Sequence, residues 1–133
     1  MSSSSSSGSS DQRLTACVAI VDDDPRIRRL LEEELLDEGF APQSYSDGFA
    51  LLDQLASAPP DLVLLDLMMP QLDGIECLRR LRQAGFEGPV LIFTALSDND
   101  KRRQADEEGA NEYILKPDLF ENLRRVIERH LTR

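Results

Sequence analysis

The feature that most constrains the fold of this 133-residue chain is a fivefold alternation of short strand-like runs with segments of helical character. Three of the runs are continuously apolar, as in buried strands, the fifth is apolar after Glu112, and the second is polar, as expected at a sheet edge. Strands joined through helices by short connections form parallel sheets with helices on both faces. The pattern predicts an α/β fold, a doubly wound (βα)5 three-layer sandwich around a five-stranded parallel sheet.

The predicted elements follow one another without a long gap. The strands are expected at residues 16–21, 42–46, 62–65, 90–93 and 112–115. Asp24 can cap the first helix and Pro25 suits its first turn, while residues 97–108 form a polar, charge-rich fourth helix. The apolar helix residues expected to face the core are Ile27, Leu30, Leu31 and Leu35, then Phe49, Leu52 and Leu55, then Ile75, Leu78 and Leu81, and finally Leu119, Phe120, Leu123, Val126, Ile127 and Leu131.

The domain organisation is simple. Residues 1–13 are Ser-rich and of low complexity, so we interpret them as a flexible tail or a cloning artefact, and residues 14–133 as one domain. No apolar run approaches the ~20 residues needed to span a bilayer, and no signal peptide is visible. Cys17 and Cys77 lie in apolar segments and are expected to be reduced thiols, which suits a cytoplasmic protein.

The charge of the chain excludes some partners. Its net charge is -10, from 25 acidic and 15 basic residues. A domain this acidic repels phosphate backbones and anionic lipid, so it is not expected to bind nucleic acid or a membrane by itself.

The residues that could carry chemistry stand where predicted strands end. Asp22 and Asp23 end the first strand, Asp66 the third, Thr94 the fourth and Lys116 the fifth. The carboxyl ends of parallel strands share one edge of the sheet, where such folds place their sites. Three neighbouring carboxylates repel one another, so a pKa should rise or a cation is required. Oxygen ligands without imidazole or thiolate favour Mg²⁺ over zinc or copper.

This set of residues suits phosphoryl transfer to a carboxylate. Asp66 can act as the nucleophile, since carboxylates form aspartyl-phosphates in enzymes. Mg²⁺ and the Lys116 ammonium would neutralise charge on the phosphoryl oxygens, while the Thr94 hydroxyl and nearby backbone N–H groups would donate hydrogen bonds. Taken singly, each Asp is more simply a helix cap or turn former. Their joint placement favours the chemical interpretation.

The segments VAIVDDDP, LVLLDLMMPQLDG, LIFTA and ILKP resemble the signature segments of response-regulator receiver domains, the family of the bacterial chemotaxis response regulator. The resemblance runs from about Leu14 to the C-terminus. It implies the flavodoxin-like strand order 2-1-3-4-5 and a phosphorylation-dependent switch in two-component or phosphorelay signalling, rather than an enzyme. The implied partner is a sensor histidine kinase or a histidine phosphotransfer protein in the cytoplasm.

The resemblance also implies the ligands of the cation. Asp66 would be the phosphoacceptor. Asp23, Asp66 and the backbone carbonyl of Met68 would ligate Mg²⁺ directly, and Asp22 would act through water. Mn²⁺ would be a substitute ion.

The same resemblance assigns the residues around the phosphoryl group. Thr94, Ala95 and Lys116 would contact it. Tyr113 would be the switch aromatic that turns inward when Thr94 moves toward the phosphate, although its simpler interpretation is an ordinary strand aromatic. The Lys116–Pro117 bond is cis in many relatives and is therefore a candidate cis peptide.

Two apolar positions bear on the lifetime of the phosphate. Met68 and Leu96 stand where some relatives carry polar groups, and neither can orient an attacking water by hydrogen bonding. They predict slow self-dephosphorylation, unless both simply fill surface gaps. The switch would act through the fourth helix, fifth strand and fifth helix, whose mixed charges suit a homodimer or a docked partner.

Three alternatives remain at this stage. An aspartate-nucleophile phosphatase of the haloacid-dehalogenase type needs a second acid two residues after the nucleophile, where this chain has Met68. A nucleotide or flavin module needs a glycine-rich turn after the first strand, which is followed instead by three aspartates. A pseudo-receiver that signals without phosphorylation would not need the complete set of chemical residues. His130, the one histidine, is expected to be a surface residue far from any acidic cluster.

Overall fold

The structure of the chain is a computed structural model that describes residues 15–95 and 97–131. Across these ranges five strands alternate with five helices. The strands are β1 (Cys17–Val21), β2 (Ala41–Tyr45), β3 (Leu62–Asp66), β4 (Val90–Thr94) and β5 (Glu112–Leu115). The helices are α1 (Pro25–Asp37), α2 (Gly48–Gln54), α3 (Gly74–Gln83), α4 (Asn99–Glu107) and α5 (Lys116–Leu131). The Ser-rich segment 1–13 lies outside the described residues.

The sheet has the order β2-β1-β3-β4-β5, and every neighbouring pair is parallel. Every residue of β3 and β4 is buried, whereas β2, at the edge, is polar and only partly covered. This arrangement confirms the predicted doubly wound α/β fold and its 2-1-3-4-5 order. It also places β1, β3 and β4 side by side in the middle of the sheet.

Two apolar cores cover the two faces of the sheet. Side chains alternate between faces along a strand, so Ala19 and Val21 pack with α2, α3 and α4, while Val18 and Ile20 pack with α1 and α5. The apolar residues predicted to face the core in α3 and α5 do so. Both Cys17 and Cys77 are free thiols. In the parts of the chain described here, no helix is long and apolar enough to cross a bilayer.

Aspartates begin four of the helices. Asp24, Asp47, Asp73 and Asp98 stand at the N-caps of α1 to α4, and each side chain accepts hydrogen bonds from backbone N–H groups of the first turn. A cap of this kind contributes about 1 kcal/mol to helix stability. The capping interpretation therefore accounts for these four carboxylates. It does not account for Asp22, Asp23 or Asp66.

Two apolar residues expected in the core are exposed. Leu30 is 51% exposed because the buried face of α1 is centred on Leu31 and Leu35. Phe49 is 40% exposed and lies against the Arg80 guanidinium, 5.5 Å from its ring centroid. Its place in the core is taken by Leu51, which is fully buried.

The rotation of α2 has a steric cause. Gly48 faces α3, where a Cβ in its place would lie 2.7 Å from the sulfur of Cys77 and 2.9 Å from Leu72 Cδ2. The contact is so close that only a glycine fits at this position of α2. Leu51, one turn later, lies on the same helix face and is buried with it. Phe49 is thereby turned outward.

The fifth helix differs from expectation at its start and in its middle. The described backbone contains no cis peptide, so the predicted cis Lys116–Pro117 bond is wrong. Both residues belong to the first turn of α5, where the fixed φ of proline suits helical geometry. Further along, Asn122 has non-helical angles (φ -129°, ψ 26°) and divides the helix in two. Its Nδ2 donates to the Asp118 carbonyl at 3.2 Å.

Candidate functional site

The register of the sheet brings the ends of four strands to one rim. Asp22 directly follows Val21 of β1, and Asp66 directly follows Leu65 of β3. Because Val21 and Leu65 are partners in the sheet, Asp22 and Asp66 lie side by side. On β4, Thr94 comes one residue after the partner of Asp66. Lys116 likewise comes one residue after the partner of Thr94 on β5. The register pairs are Val21 with Leu65, Asp66 with Phe93, and Thr94 with Leu115. The rim holds all the chemical residues that the strand ends indicated.

Three carboxylates form a compact cluster at this rim. Asp22, Asp23 and Asp66 each offer an oxygen, and these atoms lie within 4.8 Å of one another. Asp22 is fully buried and Asp66 is 2% exposed, whereas Asp23 is exposed. Little solvent screens the repulsion between the two buried groups. The cluster is therefore open to a cation from the Asp23 side.

The ammonium of Lys116 enters the cluster from the start of α5. Its Nζ lies 3.5 Å from Oδ2 of Asp22 and 3.7 Å from Oδ1 of Asp66. It also lies 5.5 Å from the ring centroid of Phe93. One ammonium cannot balance three ionised carboxylates, so the site keeps a net negative charge when all three are ionised.

Burial makes Asp66 a weak acid. It raises the pKa of Asp66 to about 7, and the negative charge of Asp22 acts in the same direction. The Lys116 ammonium and the Met68 N–H, 3.4 Å from Asp66 Oδ1, oppose the increase. Burial likewise raises the pKa of Asp22, against the Asp24 N–H at 2.9 Å and Lys116. Near neutral pH, ionising both Asp22 and Asp66 is therefore unfavourable unless further positive charge is bound nearby.

One oxygen of the cluster lacks a hydrogen bond. Among the described residues, Oδ2 of Asp22 is buried with no hydrogen-bond partner, and Lys116 reaches it only as an ion pair. A buried carboxylate oxygen without a donor costs free energy of about 1–3 kcal/mol. A cation among three carboxylates would remove that cost. The all-oxygen donor set fits a hard divalent ion such as Mg²⁺.

A glycine that sequence reasoning missed allows this packing. A Cβ on Gly74 would lie 2.6 Å from the backbone oxygen of Asp66 and 2.8 Å from Leu67 Cα. The Gly74 N–H also donates to the Leu67 carbonyl at 2.9 Å. Because Gly74 has no side chain, α3 begins directly against the end of β3. The available signal was the Asp-Gly pair at the start of the predicted helix.

The remaining predicted residues lie on the α4 side of the rim. Thr94 is fully buried at the end of β4, and Ala95 is exposed beyond it. Tyr113 is 8% exposed, so its side chain faces inward. The Arg102 guanidinium lies 5.4 Å from the Tyr113 ring centroid and donates to the Tyr113 carbonyl at 3.3 Å. The switch role of Tyr113 stays a prediction.

The two positions predicted to set the phosphate lifetime have different status. Met68 is 55% exposed beside Asp66, and its backbone N–H contacts that carboxylate. Leu96 lies outside the described residues. Their role in the lifetime of the phosphate stays a prediction.

His130 is less isolated than the sequence indicated. Its Nε2 lies 2.6 Å from Oε1 of Glu112 on β5, and the other oxygen of Glu112 accepts from Arg129 at 3.0 Å. Glu112 and His130 are 18 residues apart, so only the fold reveals the contact. The acidic partner is a single glutamate rather than a cluster, and the His130 side chain is partly exposed.

A family model described as the response regulator receiver domain matches residues 18–128. Among curated proteins, the response regulator MprA of Mycobacterium avium (strain 104) is 39% identical over 106 residues, which are 80% of this chain and 46% of that protein. The MprA of Mycolicibacterium vanbaalenii is 40% identical with the same coverage. The chain thus spans about half the length of the curated relatives it matches.

Solved structures with this fold include the Vibrio cholerae chemotaxis protein CheY4, which is 28% identical with a TM-score of 0.82 and covers 88% of this chain and 99% of its own. The BeF3-activated N-terminal receiver domain of Klebsiella pneumoniae RstA is 31% identical with a TM-score of 0.81 and the same coverage. The range matched by the family model, residues 18–128, contains the carboxyl ends of all five strands.

Proposed function

This chain belongs to the response regulator receiver domain family, and on that basis we propose that Asp66 is its phosphoacceptor. The standard function of the family is a phosphorylation-dependent switch in two-component signalling. The observation that carries the proposal is the Lys116 ammonium, 3.5 Å and 3.7 Å from two buried carboxylates at the rim. In that position the Lys116 ammonium can pair with the Asp66 carboxylate before the transfer and with a phosphoryl group on Asp66 after it.

In the proposed reaction, the Asp66 carboxylate attacks the phosphorus of a phosphohistidine on a sensor kinase or phosphotransfer protein. The new bond joins an Asp66 oxygen to phosphorus, the P–N bond breaks, and the donor imidazole keeps the electron pair. The reaction needs the ionised form of Asp66, which Lys116 favours against the effect of burial. Lys116, Thr94 and Ala95 are the proposed contacts of the transferred group, through an ammonium, a hydroxyl and backbone.

The proposed cation is Mg²⁺, with Mn²⁺ as a substitute. Asp22, Asp23 and Asp66 would hold it, with the Met68 carbonyl as a further ligand. Support comes from the three carboxylates within 4.8 Å and the buried Asp22 oxygen that lacks a donor. When bound, the ion would neutralise negative charge on the phosphoryl oxygens.

We further propose that the switch acts on the face formed by α4, β5 and α5. A groove of about 480 Å³ crosses this face, and its lining includes Arg102, Tyr113, Asp118, Asn122, Arg125 and Arg129. Charges of both signs suit a homodimer or a docked partner protein. Tyr113, with its side chain buried and the Arg102 guanidinium 5.4 Å from its ring centroid, is the proposed link between the groove and the β4 end of the rim.

The phosphatase alternative has less support. The residue two positions beyond Asp66 is Met68, which is half exposed and cannot act as an acid. The family to which the chain belongs is regulatory. We therefore propose that Asp66 is phosphorylated without turnover on phosphomonoesters, in the cytoplasm, where the free thiols of Cys17 and Cys77 would remain reduced.

The test is phosphorylation of the chain by acetyl phosphate with Mg²⁺, followed by intact-mass measurement. We expect one phosphoryl group on the wild type, none on Asp66→Asn, and normal labelling of the control Asp53→Asn, an exposed residue of α2. Labelling of Asp66→Asn at the wild-type level would contradict the assignment. Removing Mg²⁺ with EDTA should abolish labelling of the wild type.

A further inference from the structure

Arg28 holds the loop that carries two of the three clustered carboxylates. It belongs to α1, is half-buried, and its Nη1 donates to the backbone carbonyl of Asp22 at 2.7 Å. A hydrogen bond from a guanidinium is short and about twice as strong as a neutral one. The contact therefore ties the end of β1 to the second turn of α1.

Several other polar groups of this loop have partners within the fold. The Asp22 N–H donates to the Tyr45 carbonyl at 3.3 Å, and the Asp24 N–H donates to Asp22 Oδ1 at 2.9 Å. The Asp24 carboxylate accepts from the Arg26 N–H at 2.9 Å. These contacts leave Asp22 Oδ2 and the exposed Asp23 carboxylate for the cluster.

The Asp22 carbonyl and the Asp23 N–H belong to one planar peptide unit. Holding the carbonyl in a fixed direction therefore restricts the rotation of that plane and fixes the Asp23 Cα relative to Asp22. We propose that Arg28 is a positioning residue of the cation site, which sets its affinity by holding the Asp22–Asp23 peptide so that both carboxylates keep their spacing from Asp66. The inference rests on the proposed Mg²⁺ site.

A purely structural role for Arg28 makes a different prediction. An arginine that only joins the loop to α1 would change the free energy of unfolding equally with and without Mg²⁺. A positioning residue changes the affinity for Mg²⁺ itself in the folded chain. Binding measurements at a temperature where all variants are folded separate the two.

The experiment is calorimetric titration of the full chain with Mg²⁺ near neutral pH. Arg28→Met keeps most of the stem and removes the donor, and we expect its Kd to rise about tenfold, as for residues that orient metal ligands. Arg28→Lys, which restores a charged donor, should recover most of the affinity. Arg29→Met, an exposed neighbour on the same helix, is the control and should bind within about twofold of the wild type.

The outcomes separate this inference from the proposed site. If the wild type binds Mg²⁺ no better than Asp66→Asn, the cation site itself is wrong. If the wild type binds well and Arg28→Met has the wild-type Kd, only the positioning role is wrong. Should Arg28→Met not fold, Arg28→Ala, which also lacks a donor, decides, with a Kd raised at least about fivefold supporting the role and an unchanged Kd refuting it.

Discussion

Asp66 shows how a single residue can weaken the fold that contains it. Its carboxyl has a folded pKa of about 7, against an ordinary value of 3.8, chiefly because it is buried. The native state therefore binds this proton more tightly than the unfolded chain does. As pH rises from the unfolded pKa to the folded one, ionisation costs the native state stability, and the loss is complete above the folded pKa.

This cost predicts that Asp66→Asn stabilises the chain when no divalent ion is present. In EDTA at about pH 8, we expect its free energy of unfolding to exceed that of the wild type by about 2 kcal/mol, and the difference to shrink toward about pH 4. Urea denaturation across this range measures it. The exposed Asp53→Asn serves as the control, and a less stable Asp66→Asn at high pH would contradict the explanation.

Gly74 gives a second prediction at the residue scale. The Cβ of Gly74→Ala would clash with backbone, not with a flexible side chain, so we expect a loss of about 2 kcal/mol and weaker Mg²⁺ binding. Gly85→Ala is the matched control. It has a positive φ but nothing within 4 Å of its added Cβ, so it should cost about 1 kcal/mol and leave Mg²⁺ affinity unchanged. Equal effects of both substitutions on binding would rule out the steric explanation.

At the same scale, the sequence indicated part of the site and missed part of it. Asp22, Asp23, Asp66, Thr94 and Lys116 were identifiable because each ends a strand, and strand ends in a parallel sheet share an edge. The contact of Arg28 with a backbone carbonyl leaves no such trace, since any donor of suitable length could make it. The Glu112–His130 contact depends on how α5 packs on β5.

Among the elements, α3 is joined to two loops by one side chain. Arg82 donates to the carbonyls of Phe86 at 2.7 Å, Gly88 at 2.8 Å and Gly109 at 2.7 Å. These loops precede β4 and β5, so the contacts lie at the edge of the sheet opposite the rim with Asp66. The Arg82 guanidinium thus supplies hydrogen-bond donors to the backbone carbonyls of both loops.

We expect Arg82→Met to lower the free energy of unfolding by about 3 kcal/mol, because several carbonyls lose a charged donor together. Thermal unfolding monitored by circular dichroism provides the measurement. Since the contacts lie away from the rim, Mg²⁺ affinity should not change in the folded variant. Arg103→Met, on the exposed face of α4, should be nearly neutral, and a large loss there would remove the distinction.

Sequence pattern predicted the helices better than it predicted their orientation. Periodicity identifies residues that share a face, but in α2 the apolar residues allow more than one inward face, and the close contact of Gly48 with α3 selects the one with Leu51. In α5 the apolar spacing continues through Asn122, so the interruption there was not visible. The inward face of α2 and the break in α5 depend instead on side-chain volume and packing, which a linear pattern does not encode.

At the scale of the whole molecule, the parallel sheet followed from the short connections between strands and helices, whereas the strand order followed from the resemblance to the family, and the comparisons agree with both. The groove between α4 and α5 is lined by Tyr113 and Arg102, and Tyr113 belongs to β5, the neighbour of the strand that ends at Thr94. We propose that a change at Asp66 that moves Thr94 reaches this groove through the core packed against β4 and β5.

Tyr113 should matter for this coupling more than for the chemistry. We expect beryllofluoride with Mg²⁺ to shift the amide resonances of α4, β5 and α5 in the wild type. In Tyr113→Ala these shifts should fall to less than about half while beryllofluoride still binds, since the inward aromatic is lost. Tyr45→Ala, a partly buried tyrosine on the edge strand, is the control. Full-size shifts in Tyr113→Ala would show that the signal takes another route.

The break at Asn122 has a mechanical consequence. An unbroken helix would behave as a stiff rod, and any tilt of its first turn would be carried to its far end. With a break after six residues, the short arm bearing Lys116 and the long arm after Asn122 need not share one axis, and the fully buried Leu119 holds the short arm on the core separately from the long one. The position of the Lys116 ammonium is therefore set by the packing of a six-residue arm rather than by the direction of the whole helix.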